Sequence, residues 1–328
     1  MDSIDISQLY AEQDAELLKA REMPQYLPGR SIVTSTYRSE IPSTYILLSE
    51  LRRLDVNVPI EVFYRDGELN DDEVFELSKL HAEVRFKKLN TPLPQFKDRW
   101  GHQRGYGTKV LAMYESQYAE NLWIDTDNTP IRNCLYLFDD EEYQRKGSMF
   151  WRDVYSVDRA DQYHSGSDFW KIFRVPYNDA EPFESGQLLI NKPIVWAQFS
   201  LMLHFTERSN IYYLFGGDAE CWRMAWQNHA VATGGYHARH NYHSSSDVPY
   251  GMMPYGPFHK GVPNPWGKYG GGTVMVQRDR KGQEMFNHRN LTKWSWTENN
   301  PYNDDVINEG NYHMIMNHIK YKYGVTKA

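Results

Sequence analysis

The sequence predicts an α/β fold built on a mostly parallel, Rossmann-like central sheet flanked by helices. Three observations lead there. Short β-branched runs alternate with segments of helical period through the first 124 positions, the pattern of parallel strands joined by crossover helices. Apolar residues make up 41% and charged residues 24%, a globular composition rather than a disordered or fibrous one. At 328 residues the chain can supply the core of one large α/β domain or of two smaller ones.

The elements follow in chain order. The first 25 residues read as a polar helix with one weak apolar face, Leu9, Leu17 and Leu18, ended by Pro24 and Pro28. Residues 31–37 are a β-branched run, a first strand. Ser43 is expected to cap a helix to Leu54, with Ile46, Leu47, Leu51 and Leu54 on one face. A second strand, 59–64, closes at the Asp66-Gly67 turn. A helix follows over 70–81, its first turn acidic as the helix dipole favours. A third strand spans 84–89. A Gly-rich basic loop, a helix over 109–118 and a strand over 121–124 complete this half. In the second half the pattern predicts strands at 185–191 and 273–278 and helices at 194–205 and 219–229. Residues 236–272 are rich in Gly, Pro, His and Tyr, without period.

Composition also excludes. The net charge is -7, which argues against a general grip on nucleic acid. Two cysteines, Cys134 and Cys221, give neither a disulfide framework nor a zinc motif. The N-terminus is acidic and polar, without the basic and apolar regions of a secretory signal, and no stretch is apolar enough to span a membrane. The expectation is therefore a soluble, cytoplasmic chain with no membrane anchor. Aromatics reach 15%; most are expected to pack in the core, and flat faces also stack on sugar rings.

The sharpest local signal is Trp123-Ile-Asp-Thr-Asp-Asn128: an apolar strand ending in Asp125 and Asp127. In open α/β sheets, ligands bind beyond the carboxyl ends of the strands. Paired carboxylates there suit hard Mg²⁺ or Mn²⁺, which would neutralise a diphosphate. Standing alone, such a pair is more often a turn or cap; the βα context and the strand-end placement tip the balance to a metal site. His288 could complete a carboxylate metal site, with Arg289 and Lys293 beside it for phosphate charge; a surface histidine in a basic loop is the plainer reading. The loop carrying Arg99, Gly101, Arg104, Gly105, Gly107 and Lys109 suits an anion, although it is no P-loop. Asp218 reads first as a helix N-cap, and it and Glu184 are also candidates to face a sugar or an oxocarbenium-like centre. His229, His237, His240 and His243 lack a zinc spacing, so a loop role is favoured.

Taken together, the blocks resemble the fungal α-mannosyltransferases of glycosyltransferase family 71. They are Lys109-Val-Leu-Ala, Asn121 through Arg132 with its Asp-Thr-Asp, Leu137-Phe-Asp-Asp-Glu-Glu-Tyr143, Gly147-Ser-Met-Phe-Trp151 with Asp153, Glu184 through Lys192, Phe215-Gly-Gly-Asp218 with Arg223-Met-Ala-Trp226, and His288 through Lys293. The resemblance covers about residues 30 to 295. It implies a GT-A fold, a nucleotide-sugar donor, Mn²⁺-type (or Mg²⁺) dependence and retention of anomeric configuration. Carried over by residue, it makes Asp125 and Asp127 the D-x-D metal ligands and His288 the third. The segment from His288 to Lys293 is also similar to the C-terminal metal-histidine motif of the glycogenin-like family. By the same analogy Lys109 reaches the donor, Asp218 lies beneath the anomeric carbon, and Glu184 and Gln187 border the sugar.

The resemblance implies a division into an N-terminal helical extension, 1–28, a nucleotide-sugar-binding half, 29–160, and an acceptor-binding half, 161–328. The last contains the 236–272 loop and the C-terminal metal-ligand segment. Thr34 and Arg38 fall where the nucleotide is expected. The favoured donor is GDP-mannose and the acceptor a glycan or glycoprotein, with no nucleic acid. Rival readings are the same fold with UDP-galactose, UDP-glucose or UDP-N-acetylglucosamine, and a non-catalytic carbohydrate-binding protein. A two-metal phosphatase or nuclease lacks a second carboxylate cluster. Family members usually carry a Golgi anchor. Without one, the expectation is a soluble enzyme of viral or microbial origin that glycosylates in the cytoplasm; the 236–272 segment has no family counterpart, which leaves the acceptor and the sugar open.

Overall fold

The computed structural model describes residues 5–18, 22–92, 105, 107–154, 165–178, 182–208, 211, 218–235, 248–260 and 274–289. In chain order the elements are α1 (Ile6–Leu18), β1 (Leu27–Ser35), α2 (Ile41–Arg53), β2 (Ile60–Tyr64), α3 (Asp71–Ser78), β3 (Val84–Lys88), α4 (Gly107–Glu115), β4 (Tyr118–Ile124) and β5 (Asn128–Pro130). They continue with α5 (Glu141–Lys146), β6 (Ser148–Arg152), α6 (Asp168–Ile172), β7 (Phe183–Asn191), α7 (Trp196–Thr206), α8 (Ala219–Ala232), β8 (Gly251–Met252), β9 (Phe258–Lys260), β10 (Val274–Arg278) and β11 (Glu284–His288). Seven strands form one sheet in the order β3-β2-β1-β4-β7-β6-β8, and four form a second, β5-β11-β10-β9. The pairs β1–β2, β2–β3 and β6–β8 are parallel and β6–β7 is antiparallel. This is the α/β class with a mostly parallel central sheet that the βα alternation predicts.

The chain divides into two compact units. One comprises residues 1–31, 90–123 and 137–254; the other comprises 32–89, 124–136 and 255–328. In the second unit, Ile32 and Val33 of β1, Ile60 and Val62 of β2 and Leu47 and Leu51 of α2 are buried, as the apolar runs require. The α2 helix begins two residues before the expected cap. Pro42 sits in its first turn, where a missing N–H costs nothing, and Glu40 takes the N-cap position. Ser43 is thus a buried helical residue, not a cap. Before α3, Asn70 and Glu73 form a reciprocal capping box, and this helix ends at Ser78 rather than at His81.

The four-stranded sheet belongs to this same unit and is antiparallel throughout. Only β10 of its strands was legible in advance. The β10–β11 hairpin turns at Gly282, with φ +75°, and Asp279 Oδ1 accepts from the Lys281 and Gln283 amides. The expected 236–272 loop contributes the short strands β8 and β9; its 236–247 and 261–272 portions lie outside the described residues.

The other unit packs its core on aromatic side chains. Trp123, Trp151, Trp222 and Trp226 are fully buried, and Phe150 meets Trp226 edge-on at 5.4 Å. Strand β6, not expected from sequence, pairs with β7 in the register Ser148↔Ile190. Asp140 caps α5 through the Glu142 and Tyr143 amides, and the helix ends at Gly147 in the left-handed region, φ +71°. A Cβ at Gly147 would lie 2.5 Å from Ile194 Cγ2 and 2.7 Å from Ile194 Cβ. Gly147→Ala is therefore expected to destabilise the fold by about 3 kcal/mol, from left-handed strain and overpacking together. Urea unfolding checks this, and a loss under roughly 1 kcal/mol would contradict it.

Lys192 is buried without exposure. Its ammonium donates to the carbonyls of Met113 (2.8 Å) and Ser116 (2.9 Å) at the end of α4 and sits 3.6 Å from the Tyr26 ring centroid. Both cysteines are buried free thiols. Burial pushes the Cys134 thiol up to about 12 and raises that of Cys221, so neither is primed as a thiolate. Among the described residues no helix is long and apolar enough to cross a membrane.

Candidate functional site

Strand β4 ends at Ile124, and the chain turns at once: the Asn128 amide donates to the Asp125 carbonyl at 2.9 Å. The turn delivers the chain into β5, which pairs antiparallel with β11 in the register His288↔Asn128. A further backbone bond, from the Arg289 amide to the Asp127 carbonyl at 2.9 Å, fixes the end of β11 beside the turn. These ties bring together side chains more than 160 positions apart in sequence. Ligand atoms of Asp125, Asp127 and His288 all lie within 4.8 Å of one another, and His288 Nε2 is 3.3 Å from Asp127 Oδ1. Asp127 and His288 are buried and Asp125 is half-buried.

Two carboxylates and an imidazole offer oxygen and nitrogen donors of the kind that Mn²⁺ or Mg²⁺ accepts with open positions left for other ligands. The arrangement fits a divalent cation. Among the described residues it is the one cluster of three such side chains. Of the other histidines considered from sequence, His229 is half-buried on α8, where burial lowers its pKa; His237, His240 and His243 lie outside the described residues.

The other residues singled out in the sequence are placed as follows. Thr34 lies near the carboxyl end of β1 and is fully buried; its hydroxyl has no hydrogen-bond partner among the described residues. Arg38 is mostly exposed and pairs with Glu73 at 3.0 Å. Arg289 is buried. Lys293, Arg99, Gly101 and Arg104 lie outside the described residues. Sequence reasoning missed Glu40. It is buried at the start of α2, and its carboxylate accepts from Thr126, between the two aspartates, and from Tyr37.

In the other unit a second polar cluster is buried. Lys109, on α4, donates to the Ser185 carbonyl (2.5 Å) and hydroxyl (3.0 Å) and pairs with Asp218 Oδ2 at 3.3 Å. Ser185 Oγ donates to Asp218 Oδ1 at 3.1 Å, and Trp222 Nε1 donates to Oδ2 at 2.9 Å. The ammonium also lies 5.6 Å from the Trp123 ring centroid. Asp218 holds the N-cap position of α8, yet its side chain makes no capping bond; the carboxylate turns to Lys109, Ser185 and Trp222 instead. The plain capping role is thereby corrected: a buried ammonium one contact away outcompetes backbone amides for the charge. Glu184 is half-buried, with Oε1 accepting from the Gly186 amide at 2.9 Å, and Gln187 is fully buried on the same strand, β7. Ser185 and Trp222 carried no signal of their own in the sequence.

Comparison with known proteins bears on the first cluster. Residues 29–166 match the model of a family described as "Mannosyltransferase putative", and Asp125 and Asp127 fall inside the match. The similarity to fungal-type α-mannosyltransferases is borne out. Relatives include the α-1,2-mannosyltransferase MNN2 of Saccharomyces cerevisiae, 23% identical over 278 residues, which are 69% of this chain and 46% of that protein. The α-1,3-mannosyltransferase MNN1 of the same yeast is 27% identical over 150 residues, 40% of this chain and 20% of its own. The chain thus spans less than half the length of these relatives. Among solved structures, the galactosyltransferase LgtC, in complex with donor and acceptor sugar analogs, aligns over 88% of this chain and 95% of its own, with a TM-score of 0.49 and 14% identity.

Proposed function

We propose that this chain is a metal-dependent, retaining glycosyltransferase of GT-A type. It transfers a hexose, mannose from GDP-mannose in the favoured reading, onto a glycan or glycoprotein acceptor in α linkage. One observation carries the reading: Asp125 and Asp127, which follow β4 within the segment that matches the mannosyltransferase family model, are joined by His288 from β11 in one donor set.

In this reading Asp125, Asp127 and His288 hold Mn²⁺ or Mg²⁺. The bound cation supplies charge neutralisation to the diphosphate that leaves with the nucleoside. Thr34, fully buried near the carboxyl end of β1 where ligands of open α/β sheets bind, lines the floor beneath the expected nucleotide. Arg38 lies at the same end and can exchange its exposed pairing with Glu73 for phosphate; Lys293 adds a second cation. Lys109 and Asp218 form a charge pair whose carboxylate orientation is set by Ser185 and Trp222. In the other unit, the resemblance gives Asp218 the role of an electrostatic aid to the developing oxocarbenium-like charge and gives Glu184 and Gln187 a place beside the sugar. No covalent nucleophile is assigned, so transfer on the donor's leaving-group face is favoured. Asp218→Asn with full turnover would remove that role.

The test is a thermal-shift screen of GDP, UDP, GDP-mannose and UDP-sugars, each with Mn²⁺ and with EDTA. A ligand at 100 times its Kd, bound only by the folded state, adds roughly 2.7 kcal/mol. The expected result is a Mn²⁺-dependent rise with GDP and none with UDP. A rise with UDP alone transfers the reading to a UDP-sugar donor. No rise with any nucleotide, alongside chelator-insensitive glycan binding, overturns it in favour of a carbohydrate-binding protein.

A further inference from the structure

The metal-ligand turn has a side-chain anchor as well as its backbone ones. Thr126, between the two aspartates, donates from Oγ1 to Glu40 Oε2 at 3.2 Å. The other carboxylate oxygen, Oε1, accepts from the Tyr37 hydroxyl at 3.0 Å. Glu40 stands at the N-cap of α2 but makes no side-chain bond to its own helix. The Ile41 amide is already bonded to the Arg38 carbonyl and Pro42 has none, and the Glu40 carboxylate faces the turn. Glu40 is itself held: its carbonyl accepts from Thr44 Oγ1 at 2.9 Å, and the Thr44 and Thr36 hydroxyls lie 2.6 Å apart. Thr126 and Glu40 are 5% and 4% exposed, so water cannot simply replace the bond when it is lost.

We infer that Glu40, acting through Thr126, is a positioning residue that holds the Asp125 and Asp127 carboxylates in a cation-binding arrangement. The inference rests on the metal-site reading proposed above and extends it to residues outside the donor set. Outer-shell partners of metal ligands fix the direction in which the ligand oxygens point, and their loss commonly weakens metal affinity by roughly 10–100-fold. The two residues act through one hydrogen bond, so their effects are coupled rather than additive.

The experiment is a Mn²⁺ titration of the full chain followed by electron paramagnetic resonance of the free ion. It is run well below each variant's melting midpoint, with circular dichroism confirming the fold in EDTA. Thr126→Val and Glu40→Gln are each expected to weaken Mn²⁺ binding by roughly tenfold or more. The double variant is expected to be no weaker than the worse single variant, and Thr126→Ser, which keeps the hydroxyl, to stay close to wild type. Should Glu40→Gln fail to fold, the Thr126→Val and Thr126→Ser pair decides alone. Wild-type affinity in Thr126→Val overturns the positioning role, including the case in which Glu40→Gln alone is weak, since that is a bare charge effect. Asp127→Ala separates the two claims. If it loses Mn²⁺ while Thr126→Val retains it, only the positioning fails. If it binds as wild type does, the metal assignment itself fails, and the positioning with it.

Discussion

Asp127→Ala is expected to abolish Mn²⁺-dependent nucleotide binding and to lower donor turnover by about a thousandfold or more. A bound divalent cation contributes several kcal/mol of charge stabilisation to such reactions, and each 1.4 kcal/mol is tenfold in rate. Asp127 is the best-integrated member of the set: buried, 3.3 Å from His288 Nε2, with its carbonyl tied to Arg289. Its replacement therefore removes a ligand and the neighbour of a second one together. Melting in EDTA separates this from loss of fold, since the backbone ties of the turn do not involve the side chain. A variant that melts normally and still binds nucleotide only with Mn²⁺ would contradict the donor set.

The second large effect is on stability. Lys109 and Asp218 are a buried ion pair, each under a tenth exposed in its side chain. Lys109→Met leaves the Asp218 carboxylate with two neutral donors, Ser185 and Trp222, and, among the described residues, without the counter-charge that pairs with it. Breaking one partner of a buried pair costs about 3–5 kcal/mol, a large share of an ordinary stability of about 5–15 kcal/mol. Asp218→Asn in the Lys109→Met background removes the stranded charge while keeping an amide in its place, so the double variant is expected to recover part of the loss. Urea unfolding of the single and double variants measures the coupling. A double variant no more stable than Lys109→Met would show that the pair is not energetically linked.

Much of this was legible in the sequence because the relevant signals are local. The βα alternation through β4 depends on apolar period and turn residues, and the elements stand within a few residues of their expected bounds. The Asp125 and Asp127 pair was legible because both residues share one strand end. What escaped were contacts closed over long separations by short segments. Strands β5 and β11 are three and five residues long, and Asn128-Thr-Pro and Glu284-Met-Phe-Asn-His carry no alternation to announce them. Yet their pairing is what sets His288 beside Asp127. Ser43 does not cap because Pro42, the stronger start signal, precedes it by one residue and the helix starts before both. Lys109 and Asp218 each had a ligand-facing role by analogy, and nothing local indicates that the two side chains meet. Glu40 gave no signal at all: an acidic residue before a helix is ordinary, and its partner Thr126 lies 86 positions away.

The central claim is that the Asp125, Asp127 and His288 site serves transfer from a nucleotide sugar. The most direct measurement is GDP release from GDP-mannose by the purified chain, with Mn²⁺ and with EDTA, beside UDP release from UDP-galactose, UDP-glucose and UDP-N-acetylglucosamine. The account predicts slow GDP release that requires Mn²⁺, accelerates with a mannose-containing glycan acceptor and disappears in His288→Ala. Failure to release nucleotide from any donor in the presence of Mn²⁺ and acceptor, by a chain shown to be folded, would contradict it.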